Sequence, residues 1–288
     1  MIAEAAAGAL GRPLAGARRV AGGDINDAWL VELEGGARAF VKARAGAPAG
    51  EYATEAAGLR WLGAVADGLA VPRVLAVDDA FLALDWIDEG RLDERGEEQL
   101  GSGLAHVHAA GAPAHGAPPP GAPLGGLRLG PIELEAATAE DWPALYAEHR
   151  LAPLLRAASD RAALPSGGAR AIEAVIERLP ELAGPPEPPA RLHGDLWSGN
   201  VLAGADGRPY LIDPAAHGGH REIDLAMLRL FGAPSARMLD AYEELRPLAP
   251  GHERRVPLWQ LFPLLVHAVL FGGSYGASAV QAARRAAP

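Results

Sequence analysis

The chain contains the segment His193-Gly194-Asp195-Leu196-Trp197-Ser198-Gly199-Asn200, and Leu211-Ile212-Asp213-Pro214 follows it closely. Together they place an acid, an amide five residues later and a second acid beyond a turn. In kinase catalytic loops the first acid accepts the proton of the attacking hydroxyl, while the amide and the second acid hold magnesium against the nucleotide phosphates. The order of these three polar residues therefore predicts a site for phosphoryl transfer.

A hairpin is predicted between the amide and the second acid. Gly204-Ala205-Asp206-Gly207 lies between the apolar runs Val201-Leu202 and Tyr210-Leu211-Ile212, and Asp-Gly between such runs is a strong turn signal. The turn brings Asp213 back beside Asn200, so that a carboxylate and an amide oxygen face one point, which suits magnesium. Asp and Asn also cap turns, but capping alone does not account for three such residues at this spacing.

The composition limits the class of protein. With 288 residues, of which 49% are hydrophobic, the chain is long enough for one large domain or two lobes with a sizeable core. A formal net charge of -10 at pH 7 leaves no broad basic surface, so nucleic-acid binding is disfavoured. The absence of cysteine excludes disulfides, thiolate metal sites and cysteine nucleophiles.

No targeting or membrane segment is predicted. Residues 1–6 carry an acid where a secretory signal has basic residues. The most apolar stretch near the C-terminus, residues 258–271, is shorter than a membrane span and is interrupted by Gln260, Pro263 and His267, so it predicts a buried helix. We therefore expect a cytoplasmic protein with no membrane partner; the sequence specifies no oligomeric state.

The first part of the chain predicts a small sheet with one helix. Apolar runs and turn signals mark strands at residues 18–21, 28–33, 39–42, 71–77 and 80–87, and helical periodicity marks residues 50–62. The turn between the first two strands consists of Gly22, Gly23, Asp24, Ile25 and Asn26. Lys42 ends the third strand, and Glu55 in the helix is the acid expected to pair with it, because a buried amine needs a counter-charge.

The polar segment at residues 88–91 marks a lobe boundary, after which the pattern is helical. We expect an N-terminal lobe of residues 1–87, a hinge near residues 85–90 and a C-terminal lobe of residues 88–288. Helices are predicted at residues 97–110, 141–155, 169–179, 222–230, 238–245 and from 258 onward, with an irregular Ala-, Gly- and Pro-rich loop at 109–131. His106 and His108 lie on diverging faces of the first helix, which favours packing over metal binding.

The combined pattern resembles the two-lobed, protein-kinase-like fold over almost the whole chain. This resemblance implies an α+β protein with a five-stranded antiparallel sheet and one helix in the N-lobe and a mainly helical C-lobe. Ile212-Asp213-Pro214 stands where protein kinases have Phe and Gly around the metal-binding Asp. Only residues 215–221 separate Asp213 from the next helix, which is too short for an activation loop with a peptide-docking platform. The departures favour a small-molecule kinase.

Within that group, the sequence resembles the fructosamine kinase family. The resemblance rests on Asp195-Leu196-Trp197-Ser198-Gly199-Asn200, on Asp213-Pro214-Ala215 with the segment 219–227, on the turn 22–26 and on residues 142–151. Aminoglycoside and choline kinases share the His-Gly-Asp and the later Asp but not the Trp-Ser-Gly-Asn form. Membership would imply ATP-dependent phosphorylation of the 3-hydroxyl of a ketosamine, fructosamine or ribulosamine, free or on a glycated protein lysine, which is a deglycation or repair reaction.

The resemblance also implies a role for each motif residue. Lys42 should bind the nucleotide phosphates and Glu55 should orient it. Asp195 should be the general base, with Asn200 and Asp213 as the ligands of Mg²⁺. Main-chain groups around Asp85, Trp86 and Ile87 should meet the adenine of ATP. The turn formed by Gly22, Gly23, Asp24, Ile25 and Asn26 should cover the phosphates, since small residues permit close approach of the backbone. Asp24 stands where some members of the family have a regulatory cysteine, so redox control is not implied.

Four residues are candidates for the acceptor site. Trp197 is either a platform for the sugar or part of the core. His217 stands where the family more often has an aromatic residue, and His220 and Glu222 either line the acceptor site or stabilise the loop. Asp224 is expected to anchor the catalytic loop.

Two other functions remain open. One is a kinase for an aminoglycoside, choline or another amino-bearing metabolite, and the other is a nucleotide-binding protein without catalysis. The intact set of Lys42, Glu55, Asp195, Asn200 and Asp213 argues against the second.

Overall fold

A computed structural model describes residues 2–20, 26–123, 126–232 and 234–287. Its N-terminal part is a five-stranded antiparallel sheet with strand order β1-β2-β3-β5-β4. The elements are α1 (Ile2–Ala9), β1 (Leu14–Val20), β2 (Asp27–Leu33), β3 (Arg38–Ala43), α2 (Glu51–Gly63), β4 (Val74–Val77) and β5 (Leu82–Asp85). The five strands and α2 confirm the predicted antiparallel sheet and the predicted helix beside it.

The prediction of one N-lobe helix was wrong, because α1 is a second one. Its buried residues Ala3, Ala6 and Ala7 pack on one face of the sheet together with Val41 and Phe81. Alanine has high helix propensity, and its short side chain lets a helix lie close against a sheet. The same alanines carry so weak an apolar signal that the sequence pattern does not separate this helix from a flexible start of the chain.

The alternation of side chains along β3 decides which residues reach the cleft. Val41 faces α1, whereas Phe40 packs with the cluster that α2 forms on the opposite face. Because successive side chains of a strand point to opposite faces, Lys42 shares the α2 side with Phe40. The period of two therefore directs the lysine toward the helix that carries Glu55.

The C-terminal part is mainly helical, and six short strands in its described residues form three antiparallel pairs. Its elements are α3 (Glu94–Ala109), β6 (Leu127–Leu129), β7 (Ile132–Leu134), α4 (Trp142–Tyr146), a π-helical turn (Ala147–Leu151), α5 (Ala152–Asp160), α6 (Gly168–Glu177), α7 (Leu179–Leu182), β8 (Ala190–Leu192), a 3₁₀ turn (Ser198–Asn200), β9 (Val201–Ala203), β10 (Pro209–Leu211), β11 (His217–Gly219), α8 (Glu222–Leu230), α9 (Ala236–Leu245), α10 (His252–Phe271) and α11 (Tyr275–Ala286). The pairs are β6 with β7, β8 with β11 and β9 with β10. The predicted helix 222–230 matches α8.

Other predicted boundaries shift for identifiable reasons. Helix α3 begins earlier than expected because Asp93 caps it, accepting a hydrogen bond from the N–H of Gly96. The loop predicted at residues 109–131 is irregular only in its first part, since β6 pairs with β7 in a small hairpin. Pro180 lies in the first turn of α7 rather than only ending α6, a position where its missing N–H is harmless.

Two apolar clusters form the core of the C-lobe. The larger contains Tyr146 and Trp259 and spans most of the helices, and the smaller packs Leu196 of the catalytic loop against α3 and α9. Between the lobes, Asp88 forms a bidentate ion pair with Arg38 of β3 at 2.7 and 2.6 Å. The predicted division at residues 87 and 88 falls in this connector between β5 and α3. No helix in the described ranges combines the length and apolarity needed to cross a membrane.

Candidate active site

The loop that carries Asp195 follows β8 and is held by one buried carboxylate. The side chain of Asp224, in the first turn of α8, accepts hydrogen bonds from the main-chain N–H of His193 at 2.8 Å and of Gly194 at 2.9 Å. It also lies 3.2 Å from Nε2 of His108, whose Nδ1 is 2.8 Å from the hydroxyl of Tyr242. Although burial opposes ionisation, these partners hold the pKa of Asp224 below its ordinary value. Asp224 thus anchors the loop, as the sequence analysis expected.

Gly194 shapes the approach to the catalytic acid. Its φ is +82°, and a Cβ at this position would lie 2.1 Å from the carbonyl oxygen of Ala215. A side chain would meet backbone that cannot move aside, and the left-handed conformation is itself costly for other residues. The glycine in His-Gly-Asp is therefore required by the close packing of this loop against the segment after Asp213.

Asp195 and Asn200 contact each other directly. Nδ2 of Asn200 donates to the carbonyl oxygen of Asp195 at 2.8 Å and to its carboxylate Oδ2 at 3.2 Å. Burial, with the charge of Asp213 nearby, raises the pKa of Asp195 to about 6. A carboxylate whose pKa lies closer to neutrality is a better proton acceptor than an ordinary aspartate. The geometry and the pKa both suit the role predicted for Asp195.

The predicted hairpin brings Asp213 beside this pair. Strands β9 and β10 pair in antiparallel fashion, and beyond them the N–H of Ile212 donates to the carbonyl oxygen of Asn200 at 3.1 Å. Nε2 of His193 lies 2.9 Å from the carbonyl oxygen of Ile212, which ties the two motif segments together. Asp213 itself has a φ of +52°, a strained conformation for a residue with a Cβ. The hairpin thus holds the second acid where the spacing predicted it.

Lys42 connects the two lobes. Its Nζ lies 2.5 Å from Oε2 of Glu55 and 2.8 Å from Oδ1 of Asp213, and the residue is only 5% exposed. Burial opposes its charge, but the two carboxylates raise the pKa of Lys42 above its ordinary value. Burial raises the pKa of Glu55 to about 7, against the pull of Lys42. The expected pairing of Lys42 with Glu55 is therefore present, and Asp213 joins it.

The oxygen atoms present fit a magnesium ion. Nδ2 of Asn200 donates both of its hydrogen bonds to Asp195, so Oδ1 is the atom of this amide that can bind a cation. Asp213 gives Oδ1 to Lys42, and its side chain remains 41% exposed. Carboxylate and amide oxygens are the donors that Mg²⁺ prefers, usually shared with phosphate. Asn200 and Asp213 would hold the ion, and Lys42 would face the phosphates.

A cavity of about 410 Å³ extends from these residues. Asn26, Lys42 and Glu55 line it from the N-lobe, and Asp195 and Asn200 line it from the C-lobe. Tyr52 donates to Oδ1 of Asn26 at 3.2 Å, which fixes the end of the predicted phosphate-covering turn. The four preceding members of that turn, Gly22, Gly23, Asp24 and Ile25, lie outside the described residues.

The other end of the cavity is lined by an aromatic wall: Trp197, Phe231, His267, Phe271 and Tyr275. The rings of Phe231 and His267 are 4.6 Å apart, and those of His267 and Tyr275 are 5.0 Å apart. Trp197 was predicted to be either a platform for the sugar or part of the core. Its side chain is 39% exposed, so the prediction of a core position was wrong.

The residues after Asp195 build this wall. Oγ of Ser198 donates to the carbonyl oxygen of Phe231 at 2.6 Å, which ties the motif to the end of α8. A Cβ on Gly199 would lie 2.2 Å from the ring of Trp197, so the indole lies directly over the glycine. The Trp-Ser-Gly part of the motif therefore shapes the aromatic wall of the cavity, whereas Asp195 and Asn200 supply polar groups to it.

Comparison with known proteins decides the family. The fructosamine kinase family model matches residues 2–286. The chain belongs to the fructosamine kinase family. It is accordingly a kinase, a class of phosphotransferase that uses ATP.

Individual relatives agree with this assignment. A protein of Thermus thermophilus assigned as a ketoamine kinase is 37% identical over 254 residues, covering 88% of this chain and 87% of the relative. The crystal structure of a Thermobifida fusca protein assigned as a fructosamine-3-kinase is 45% identical, with a TM-score of 0.90, covering 99% of this chain and 98% of that one. A choline kinase of Streptococcus pneumoniae, 15% identical with a TM-score of 0.64 and covering 99% of this chain and 96% of that one, shares the fold. The protein-kinase-like fold is thereby confirmed.

The structure separates the predicted acceptor residues. His217 lies on β11, lines the cavity and has its Nδ1 2.8 Å from the carbonyl oxygen of Ala215. His220 is instead buried against the indole of Trp259, with ring centroids 4.9 Å apart. Glu222 is buried and accepts hydrogen bonds from Arg255 at 2.6 and 2.9 Å. The acceptor-site role of His220 and Glu222 was therefore wrong, and both side chains instead pack against Arg255 and Trp259 of α10.

Ion pairs also account for a group of possible metal ligands. Ligand atoms of Glu187, His220 and Glu222 lie within 4.8 Å of one another. Glu187 is already bound to Arg221 at 2.7 and 2.8 Å, and Glu222 is bound to Arg255. Because arginine neutralises both carboxylates, the group is an ion-pair network of the helical lobe.

The predicted adenine contacts lie at the end of β5. Asp85 donates its N–H to the carbonyl oxygen of Arg73 at 2.9 Å, and their side chains form an ion pair at 2.6 Å. Nε1 of Trp86 donates to Asp88 at 3.0 Å. The N–H of Asp85 is thus already used, and the adenine contact by main-chain groups around Asp85, Trp86 and Ile87 stays a prediction.

The sequence analysis missed part of the cavity lining. Phe231, His267, Phe271 and Tyr275 come from α8, α10 and the start of α11, and Arg128 comes from β6. A weak signal was present: His267 and Phe271 are one helical turn apart at the end of α10, and Phe271 is 54% exposed. An aromatic residue at a helix end followed by glycines is compatible with a surface position, but the sequence does not show what it faces.

Proposed function

We propose that this kinase transfers the γ-phosphoryl group of ATP to the 3-hydroxyl of a ketosamine, either fructosamine or ribulosamine, with Mg²⁺ as the metal. One observation carries the proposal: a single cavity joins the phosphotransfer residues to the aromatic wall, which includes Trp197 and which Ser198 ties to the catalytic loop through the carbonyl oxygen of Phe231. Aromatic faces suit the C–H faces of a sugar and attract an adjoining ammonium group. The names of the relatives, ketoamine and fructosamine-3-kinase, support this substrate class.

Asp195 performs the proton chemistry. As the substrate hydroxyl oxygen forms its bond to the γ-phosphorus, the bond from that phosphorus to the bridging oxygen of ADP breaks and the hydroxyl proton passes to Asp195. The hydrogen bonds from Asn200 keep the carboxylate oriented, and Asp224 keeps the loop in place.

The residues around Asp213 would neutralise the negative charge of the nucleotide phosphates. Lys42 is held by Glu55 and Asp213 and would bind the nucleotide phosphates. Mg²⁺, when bound by Asn200 and Asp213, neutralises charge on the phosphates. The main chain of Trp86 and Ile87 would hold the adenine.

The cellular role follows from the chemistry. A ketosamine forms when a reducing sugar condenses with an amine and rearranges, so phosphorylation of free or protein-linked ketosamines would serve deglycation or repair. We place the reaction in the cytoplasm, where ATP is available.

A substrate panel tests the proposal. Phosphate transfer from ATP is measured with ribulosamines, fructosamines, a glycated peptide, aminoglycosides and choline, and we expect the highest kcat/KM for a ketosamine. Preference for an aminoglycoside or choline would refute the proposed substrate, and ATP binding without transfer to any acceptor would indicate a non-catalytic protein.

The role of Asp195 is tested by Asp195→Asn. We expect kcat to fall about 10²- to 10⁴-fold, because the proton acceptor is lost, while the affinity for ATP changes little. Asp240→Asn, on the exposed face of α9, is the matched control and should retain full activity. Near-normal turnover of Asp195→Asn would refute the mechanism.

A further inference from the structure

Arg128 is a charged residue in the cavity to which neither the motifs nor the proposed mechanism assigns a task. It lies in the middle of β6, between Leu127 and Leu129, which are both buried in the core of the C-lobe. Alternation along the strand turns Arg128 to the opposite side, where it lines the same cavity as Asp195. Its side chain is only 13% exposed.

The hydrogen bonds of Arg128 are incomplete. Its Nη1 donates to Glu133 across the hairpin, but its buried Nε has no partner among the described residues. The carboxylate of Glu51 is 4.0 Å away, yet both of its oxygens accept from Arg44 at 2.7 and 2.6 Å. The side chain of Glu133 is 60% exposed. Since exposed ion pairs are weak, Arg128 retains binding capacity for an anion in the cavity.

The position of Arg128 indicates which anion that is. Glu51 lies in the first turn of α2, and Glu55, one turn further, holds Lys42 at 2.5 Å. Arg128, with its Nε 4.0 Å from the carboxylate of Glu51, therefore lies near the end of the cavity that Lys42 lines and where the phosphates are proposed to bind. The aromatic wall, where a substituent of the acceptor would lie, is formed by α8, α10 and α11 instead.

A cation besides Lys42 and the proposed Mg²⁺ would be favourable at this end, because the phosphates add negative charge to that of the carboxylates. Lys42 is engaged by two carboxylates, Glu55 and Asp213, and Asp195 adds a third. His217 does not contribute charge, because burial lowers its pKa to about 4. During transfer, negative charge is spread over the three equatorial oxygens of the phosphoryl group. A planar guanidinium with free N–H groups can bind two of those oxygens at once.

We propose that Arg128 binds the γ-phosphoryl group during transfer, using Nε together with an Nη, while its contact with the exposed Glu133 is released. The inference rests on the proposed phosphotransfer at this site but not on the identity of the acceptor. Arg128 then acts as a catalytic residue supplied by the β6–β7 hairpin, whereas Lys42 binds the nucleotide in its ground state.

The test compares Arg128→Ala and Arg128→Lys with Arg95→Ala, an exposed arginine in the first turn of α3. We expect Arg128→Ala to lower kcat about 100-fold or more, as loss of a transition-state donor does, with KM for ATP changed less than about threefold. Arg128→Lys should recover part of the rate, added guanidinium should partly rescue Arg128→Ala, and Arg95→Ala should behave as wild type.

A binding measurement separates this inference from the proposed substrate. With Mg²⁺ present and no acceptor, the affinities for ADP and for ADP with aluminium fluoride, a mimic of the transferring phosphoryl group, are measured by calorimetry. Arg128→Ala should weaken only the second, by about 100-fold. Equal affinities for the mimic in wild type and Arg128→Ala would overturn the inference even if ketosamines are phosphorylated. If no ketosamine is phosphorylated, the proposed substrate fails while the mimic still decides the role of Arg128. A melting temperature that matches that of the wild type confirms that Arg128→Ala is folded. If Arg128→Ala is not folded, the affinity for the mimic is compared between Arg128→Lys and the wild type instead.

Discussion

Replacing Asp224 by Asn is a sharp test of how the catalytic loop is held. The carboxylate accepts from three donors: the main-chain N–H of His193 and of Gly194 at 2.8 and 2.9 Å, and Nε2 of His108 at 3.2 Å. Asparagine has the same shape but only one acceptor oxygen. His108 can adapt by moving its ring proton from Nε2 to Nδ1, because the hydroxyl of Tyr242 beside Nδ1 can either donate or accept a hydrogen bond. The main-chain N–H groups have no such freedom, so one of them must face the amide N–H₂.

The magnitude follows from this count. One buried hydrogen bond to a charged acceptor is lost, at about 1.5–3 kcal/mol, and the other loses its charge assistance, at about 0.5–1 kcal/mol. We therefore expect the free energy of unfolding of Asp224→Asn to fall by about 2–4 kcal/mol. Because both affected N–H groups, the one that loses its hydrogen bond and the one that keeps a weaker one, belong to the two residues before Asp195, we also expect kcat to fall at least about tenfold at temperatures where the variant is fully folded.

The assay is equilibrium unfolding in urea followed by far-UV circular dichroism, together with steady-state kinetics on the same preparations. Asp240→Asn makes the same chemical change on the exposed face of α9 and should alter stability by less than about 0.5 kcal/mol. If Asp224→Asn unfolds within about 0.5 kcal/mol of wild type and keeps its kcat, the anchoring role argued from the hydrogen bonds is wrong.

Three further predictions concern other parts of the site. Gly194→Ala should lose activity and at least about 2 kcal/mol of stability in urea unfolding, because its Cβ would lie 2.1 Å from a main-chain carbonyl oxygen at a φ of +82°. Glu222→Ala should lower the free energy of unfolding, measured in urea, by about 3–5 kcal/mol, since it leaves the buried charge of Arg255 without a carboxylate partner. Replacing both Glu222 and Arg255 by Met should lower it less. Burial holds the pKa of His217 and of His220 at about 4, against 6.5 in the unfolded chain. As pH falls from 6.5 to 4 these two histidines bind protons in the unfolded chain but not in the folded one, whereas Glu55 and Asp195, with raised pKa values of about 7 and about 6, act in the opposite direction. The free energy of unfolding of a variant with both histidines replaced by Asn should therefore fall less steeply than that of the wild type over this range, by up to about 2.7 kcal/mol per pH unit.

Each of these has a result that contradicts it. Gly194→Ala with wild-type activity would mean that the loop can shift away from the carbonyl. A double Met variant less stable than Glu222→Ala would show that the pair with Arg255 stabilises the fold beyond neutralising its own charges. The same pH dependence in the wild type and in the variant without the two histidines, measured by urea unfolding between pH 6.5 and 4.5, would mean that the pKa values of His217 and His220 are not lowered in the folded chain.

The sequence by itself determined the chemistry of the site, because the features that encode it are local. The distance from Asp195 to Asn200 is set within one loop, and the Asp-Gly turn returns the chain over a few residues, so the hairpin and Asp213 follow from short-range geometry. Likewise, the period of two along β3 is enough to direct Lys42 toward the helix that carries Glu55. Secondary-structure periodicity and turn chemistry therefore predicted the five strands, α2 and the meeting of Asn200 with the segment that carries Asp213.

Only the tertiary structure decided what surrounds that chemistry. Phe231, His267 and Tyr275 are far apart along the chain, and they meet because the ends of α8 and α10 and the start of α11 come together, which depends on how whole helices pack. His220 and Glu222 follow His217 closely in the sequence. His217 lines the cavity, whereas His220 and Glu222 lie in the helical core. Their neighbours are set by distant residues, and no local pattern records such contacts.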